Sequence, residues 1–268
     1  MDRERERKIL EKLDHDGYVK VSELSRFLGC TEVTLRRDLK HLDERGLLRR
    51  IHGGAVRIGS NFVRNNVKEA LYRKLHEKME IARTAYRCVQ DGETIIIDDA
   101  STCMHMASAI SAEPEKKVKV ITNSILLAEK LLDYTHVELI MIGGEVACNL
   151  AATEGSTAYA QLGKLRADRA FIGVNGVDLT SGITLTGYPQ QKIKQRMMEI
   201  SERSYILADS SKFGKTYMSL LCPADAPEAI ITDRKADPEM LEEARKKNIK
   251  VFTKSSETKQ ISERCSEQ

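Results

Sequence analysis

The chain has 268 residues, too many for one small domain and comfortable for two. Apolar residues make up 41% and charged residues 31%, so a real core beneath a well-solvated surface is expected. Aromatics are only 5% and Trp is absent, which argues against a carbohydrate-stacking face or an aromatic base-stacking platform. The six cysteines, Cys30, Cys88, Cys103, Cys148, Cys222 and Cys265, are dispersed with no C-x-x-C pair. That pattern suits free thiols in a reducing compartment, not a disulfide framework or a zinc site, and no metal or cofactor is expected. The chain is charged from Asp2 onward and opens without the apolar core of a signal peptide. Apolar runs such as Leu139 to Ile142 are too short to span a bilayer, so a cytoplasmic protein with no membrane partner is expected.

The formal net charge of +3 is unevenly distributed. Residues 1–58 carry 14 Lys/Arg against 11 Asp/Glu, and the remaining 210 residues carry 29 of each sign. Within residues 33–57, seven basic side chains face three acidic ones. Local basicity of this kind is a footprint of phosphate binding, although a charge run by itself is equally a solvated helix face.

In chain order, Ile9, Leu10 and Leu13 share one face of a first helix. Asp16-Gly17 breaks it, and Tyr18 to Val21 reads as a short extended piece. Ser22 is placed to cap a second helix with Leu24, Phe27 and Leu28 inward, and Gly29 ends it. Thr31 is placed to cap a third helix whose buried stripe is Val33, Leu35, Leu39 and Leu42. Thr34, Arg36, Arg37, Lys40 and His41 are left on or near its outer face, and Gly46 terminates it. A short helix, a glycine turn and a capped helix with basic exposed positions have the form of a helix-turn-helix, whose second helix enters the major groove. Leu47 to His52 then alternates like a strand, Gly53-Gly54 is a turn pair, and Ala55 to Ile58 returns. A basic hairpin after a recognition helix is a wing, with Arg49, Arg50, His52 and Arg57 positioned for phosphates or the minor groove.

This segment resembles the DeoR family of bacterial regulators. The matching positions are Arg5, Ile9 and Leu13, then Thr31-x-x-Thr34-Leu35-Arg36-Arg37-Asp38-Leu39, then Arg50-Ile51-His52-Gly53-Gly54-Ala55. The resemblance implies that Thr34, Arg36 and Arg37 contact operator DNA. Asp38 reads as structural, orienting a neighbouring Arg or capping, because an acid aimed at phosphate would be repelled.

Gly59-Ser60-Asn61 marks a boundary, and residues 59–75 read as a linker leading into a helix that reaches about Cys88. Across residues 76–253, β and α alternate. Strands are expected at Thr94–Asp98, Val118–Thr122, Val137–Ile142, Arg169–Val174, Tyr205–Ala208, Ala229–Thr232 and Lys250–Phe252, with a helix from Ser124 through Leu132. Near-continuous apolar strands separated by helices indicate a mainly parallel sheet covered on both faces. A polar tail follows from 254. The predicted architecture is therefore two domains, a small α+β winged helix-turn-helix and an α/β domain.

Ligands of such sheets bind beyond the carboxyl ends of the strands. Asp98, Asp99, Ser101, Thr102, Thr122, Asn123, Gly143, Gly144, Gly173 and Lys212 all fall at such ends, and Lys194 can supply opposing charge. Ser101-Thr102 is expected to open a helix that favours an anion, although plain helix capping explains such residues equally well singly. This region resembles the DeoR-family sensor domain, whose fold is similar to ribose-5-phosphate isomerase and coenzyme A transferases. The resemblance implies a phosphorylated sugar or related metabolite as effector. Ala100 replaces a usual Gly, Cys148 falls near a frequent Arg, and Gln190 replaces a frequent Glu while Lys194 is kept, so an acid–lysine pair is expected to be lost.

The functional expectation is a sequence-specific transcriptional regulator, a repressor of carbohydrate genes, that binds double-stranded operator DNA as a homo-oligomer under control of a small-molecule effector. The alternative is a sugar-phosphate isomerase with a DNA-binding appendage, using Asp98, Asp99 and Lys194 as acid–base groups. An RNA-binding module is disfavoured by the absence of interleaved stacking aromatics.

Overall fold

The computed structural model describes residues 3–16, 18–51, 53–57 and 70–254. The chain divides into two compact units at Arg73/Lys74. In the first, α1 (Arg3–Asp16), β1 (Tyr18–Lys20), α2 (Val21–Leu28), α3 (Glu32–Glu44), β2 (Leu48–Ile51) and β3 (Gly54–Arg57) follow one another. The strands pair antiparallel in the order β1-β3-β2, a winged helix-turn-helix.

Ile9, Leu13, Val19, Val21, Leu24, Leu35, Leu39, Leu42, Leu48 and Ala55 form its core. Two residues expected to be buried are not: Phe27 is 60% exposed and Val33 is 77% exposed. Val33 is the second residue of α3, ahead of the turn that packs inward, and Phe27 instead lies under the Lys12 ammonium. Helix α2 starts at Val21 with no side-chain cap, so Ser22 is not the cap it was expected to be. Val21 can start the helix because its N–H is satisfied by the carbonyl of Gly53 at 2.9 Å. Gly54 is already in β3, paired with Ile51. The left-handed turn residue is Gly53, at φ 80°.

Asp38 behaves as a structural acid. It is buried on α3 and accepts from Arg5 Nε at 2.6 Å, tying α1 to the recognition helix.

The second unit comprises α4 (Leu75–Arg87), β4 (Thr94–Ile97), α5 (Met106–Ser111), β5 (Val118–Thr122), α6 (Ile125–Leu131), β6 (Val137–Met141), β7 (Glu145–Ala147), β8 (Ala152–Glu154), α7 (Gly155–Leu162), β9 (Ala167–Gly173), β10 (Gly176–Asp178), β11 (Gly182–Leu185), α8 (Tyr188–Glu199), β12 (Ser201–Leu207), β13 (Ser219–Cys222), β14 (Ala229–Ile231), α9 (Pro238–Lys246) and β15 (Val251–Phe252). Seven strands form one parallel sheet, β15-β14-β12-β9-β4-β5-β6, and all seven are legible as apolar runs in the sequence. Strand alternation sends Ile96, Ile121, Ala170, Ile172, Ile206 and Ile230 into a core shared with α7 and α8. Ile95, Ile97, Phe171 and Tyr205 turn to the other face, and α4 packs on that sheet at β12 and β14.

The antiparallel pieces, β7-β8 and β10-β11-β13, are short and were not expected. Their residues lack the long apolar runs that identify buried parallel strands. Cys30, Cys88, Cys103, Cys148 and Cys222 are free thiols, as anticipated. No helix among the described residues is long and apolar enough to cross a membrane. The expected tail from 254 lies, apart from Lys254, outside the described residues.

Because Asp38 is buried and accepts from Arg5, Asp38→Ala is expected to cost about 1–3 kcal/mol through the loss of this buried charge-assisted bond. Denaturant unfolding of the full chain, followed by a signal from the first unit, measures it; an unchanged midpoint would show the pair to be dispensable.

Candidate functional site

Two surfaces carry the residues singled out by sequence, one in each unit. On α3, Thr31 is the N-cap. Its Oγ1 accepts from the N–H of Thr34 at 3.3 Å and lies 3.0 Å from the Thr34 hydroxyl, so both threonines shape the helix start. Arg36 pairs with Glu32 at 3.0 Å and Lys40 with Glu44 at 3.7 Å, both exposed i,i+4 pairs worth little and readily exchanged for a phosphate. Arg37 is exposed and has no ion pair among the described residues, and the same is true of Arg50 on β2. Val33 lies one turn before Arg37 on this outer ridge. His52 and the side chains of Arg49 and Arg57 lie outside the described residues, while the backbones of those two arginines run in β2 and β3.

In the second unit the strand order locates the crevice. From β4 the chain proceeds outward through β5 to β6. From β9 it proceeds the opposite way through β12 to β14 and β15. The carboxyl ends of β4 and β9 are therefore a topological switch point, where ligands enter open α/β sheets. Asp98 stands there, fully buried. Its Oδ1 accepts from Ala100 N–H at 2.9 Å and its Oδ2 from Gly173 N–H at 2.8 Å, and Oδ2 also pairs with Lys194 of α8. Lys194 donates further to the Gly173 carbonyl at 3.1 Å and lies 3.7 Å from Asp99. Burial opposes its charge, but Asp98 and Asp99 outweigh burial and hold the ammonium above the ordinary lysine range. The acid–lysine pair expected to be lost at Gln190 is thus supplied by Asp98. Cys103 lies alongside, and burial followed by Asp98 pushes its thiol well up, which favours the protonated thiol.

Asp99 differs from Asp98 in how it is satisfied. It is nearly buried, yet its side-chain donors are distant: Gln190 Nε2 at 3.4 Å, Asn123 Nδ2 at 3.5 Å and Lys194. Burial, only partly offset by Lys194, raises its carboxyl above the usual range. The Asn123 amide also donates to Thr153 O at 3.1 Å, while its Oδ1 is buried and has no partner among the described residues. Asp99, Asn123, Gln190, Glu154 and Leu150 help line a small cavity of about 10 Å³.

The other expected ligand residues separate from this group. Thr122 is turned into the sheet, donating to Ile97 O at 2.6 Å and accepting from Ser124 N–H at 3.0 Å. Gly143 donates to Gln161 Oε1 at 2.8 Å. Gly144 is required by close approach, since a Cβ there would meet Glu154 O at 2.6 Å. Ser101 and Thr102 do not open a regular helix. They lead into a 3-10 turn, Cys103–His105, with no side-chain cap, which runs directly into α5.

Ser101 instead accepts from Lys78 of α4 at 2.8 Å, and Lys78 is buried. Lys74 pairs with Asp209 at 2.9 Å, at the start of the 3-10 turn Ser210–Lys212 that holds Lys212. Lys74, Lys78 and Glu154 escaped the sequence reading, and Val33 was read as core. Two lysines four residues apart at a helix start were the only signal, and a weak one.

Comparison with known proteins decides the family. Residues 5–61 match the DeoR-like helix-turn-helix domain and residues 73–234 the DeoR C terminal sensor domain. The chain belongs to the DeoR family. It is 32% identical to the HTH-type transcriptional regulator YulB of Bacillus subtilis (strain 168), over 92% of this chain and 95% of that one. It is also 32% identical to the lactose phosphotransferase system repressor of Lactococcus lactis subsp. lactis, over 88% and 92%. Among solved structures it is similar to ribose 5-phosphate isomerase A from Methanocaldococcus jannaschii at 20% identity, covering 51% of this chain and 53% of that one with a TM-score of 0.36, and no argument about chemistry rests on that likeness.

This DeoR-family chain is a DNA-binding transcriptional regulator and not an enzyme.

Two outcomes test the crevice of this regulator. A Cβ at Gly173 would lie 2.1 Å from the Ala100 Cβ. Gly173→Ala is therefore expected to cost about 1–3 kcal/mol by overpacking, and adding Ala100→Gly to restore most of it in denaturant melts. Burial works against the Asp209 carboxylate, yet its bonds from Ser211 and Lys74 hold the carboxyl below the usual range. Its contribution is thus present above the ordinary aspartate pKa of about 4 and lost as pH falls through the depressed folded value. Asp209→Asn is expected to cost about 1–2 kcal/mol at neutral pH, and urea midpoints of variant and wild type should converge as pH drops below that point.

Proposed function

We propose that this regulator represses genes of carbohydrate uptake or use, and that a phosphorylated sugar bound at the β4–β9 crevice sets its operator affinity. One observation carries the reading. A capped recognition helix, with Arg36 and Lys40 held only in exposed pairs and Arg37 in none among the described residues, is joined to a second unit whose switch-point crevice holds under-bonded polar groups. The name of the lactose phosphotransferase system repressor, similar over most of both chains, supports repression and a sugar effector.

In this reading Thr31, Thr34, Arg36, Arg37 and Lys40 meet the major groove, and Val33 supplies an apolar contact for a thymine methyl. Arg49, Arg50, His52 and Arg57 of the wing meet phosphates or the minor groove. Ser101, Lys78 and Lys212 receive the effector phosphate, with Thr102, Gly143 and Gly144 as supporting backbone around the crevice. Asp99 and Asn123 face the sugar, while Asp98, Lys194, Gly173 and Thr122 hold the loop that presents them. A two-fold operator requires at least a dimer, so the regulator works as a homo-oligomer in the cytoplasm. Effector binding shifts the population between arrangements that space two recognition helices differently.

The test is fluorescence anisotropy on an operator selected from genomic fragments. Arg37→Ala is expected to weaken binding about ten- to a hundred-fold, the range of one bidentate base contact. Unchanged affinity would remove Arg37 from the interface. A hexose phosphate series that never alters operator affinity would remove the sugar-phosphate effector.

A further inference from the structure

The crevice has two electrostatically opposite sides flanking the loop of residues 98–102. On one, Lys78 is bonded to Ser101 and Lys74 to Asp209. On the other, Asp99, Glu154 and Asn123 meet around the 10 Å³ cavity, a volume that suits one water-sized group. The second side holds too much negative charge for its cations. Lys194 is the cation close to Asp99, and it is already paired with Asp98. The Glu154 side chain makes no hydrogen bond or ion pair among the described residues, although its backbone pairs with Glu145. Burial, then Asp99, then Glu145 push its carboxyl above the usual range.

Asn123 gives independent evidence of a missing donor. Its Nδ2 donates to Asp99 Oδ1 and to Thr153 O, and those two acceptors fix the amide's orientation. The carbonyl oxygen Oδ1 is thereby left buried and without a donor, at a side chain only 3% exposed. A buried acceptor without a donor is costly and marks a place where a partner belongs. The carboxylates do not form a metal site, since no group of three or more His, Cys, Asp or Glu suited to an ion occurs among the described residues. A sugar hydroxyl offers one donor and no charge. A protonated amine offers three donors and the missing positive charge, one donor each for Asp99, Glu154 and Asn123 Oδ1.

We propose that the effector is an amino-sugar phosphate whose ammonium is received by Asp99, Glu154 and the Asn123 side-chain carbonyl, with its phosphate on the Lys78–Ser101 side. This rests on the reading that the crevice is the effector site. A zwitterionic ligand matches both sides, whereas a phosphorylated sugar acid sets a second negative charge against Asp99 and Glu154.

Isothermal titration of the full-length protein with glucosamine 6-phosphate, glucose 6-phosphate, 6-phosphogluconate and free glucosamine tests this, with galactosamine and galactose 6-phosphates as a second pair. The amino-sugar phosphate is expected to bind at least tenfold more tightly than its parent hexose phosphate, and the sugar acid most weakly. In Glu154→Gln the ratio of amine to parent is expected to fall to about one. A parent sugar that binds as tightly as the amine, or a preference that persists in both Glu154→Gln and Asp99→Asn, overturns the amine assignment and leaves the phosphorylated-sugar reading standing. Binding of free glucosamine without any phosphate preference upholds the amine pocket and overturns the phosphate. No binding by any of these compounds overturns both.

Discussion

The second unit depends on one buried carboxylate. Asp98 leaves the end of β4 and meets the backbone of Ala100, the backbone of β9 at Gly173, and the ammonium of Lys194 on α8. A buried aspartate alone would be strongly destabilising, and a buried lysine no less so. Each is tolerable because the other is present, and because the Gly173 N–H and carbonyl satisfy the remaining valences of the pair. The interaction joins two adjacent strands whose connections run in opposite directions, so it sits at the mouth of the crevice that the topology opens. Ala100 then packs so closely on Gly173 that a Cβ there is not accepted without movement.

This arrangement separates holding from binding. Asp98, Lys194, Gly173 and Thr122 have their hydrogen bonds met within the protein and serve as the frame. Asp99, Glu154 and Asn123 Oδ1 are left with distant donors or none, which is the condition of a group that waits for a ligand. A two-state regulator needs such a difference, because a ligand shifts an equilibrium only through contacts that differ between the states. The first unit shows the same economy on a smaller scale. Asp38 is absorbed by Arg5 and holds the recognition helix to α1, while Arg37 on the outer ridge is left uncommitted.

Much of this was legible in the residues. The helix-turn-helix followed from periodicity, the Thr31 cap and the glycine turns, all local features with known physical causes. The seven parallel strands followed from apolar runs long enough to be buried on both faces. Where the reading failed, a distant neighbour decided the outcome. Val33 fits a buried stripe by spacing, but the first turn of α3 has no layer above it. Ser101 and Thr102 look like the capped start of a helix, yet neither caps it: the chain enters α5 through a 3-10 turn, while Ser101 is engaged by Lys78 from α4 and Cys103 by the β9 backbone. Lys78 and Glu154 carried no local sign of a role, since each acquires one only through residues far away in the chain.

The sequence by itself determined the two-domain plan, the identity of the recognition helix and the set of polar residues at strand ends, because helix caps, turn glycines and hydrophobic runs act over a few residues. Only the tertiary structure decided the strand order, and with it the switch point between β4 and β9. It alone assigned Lys194 to Asp98, and it alone left Asn123 Oδ1 and the Glu154 carboxylate without partners among the described residues. Charge pairing and hydrogen-bond satisfaction are properties of three-dimensional neighbours, and a strand's neighbours in a parallel sheet are not its neighbours in the chain.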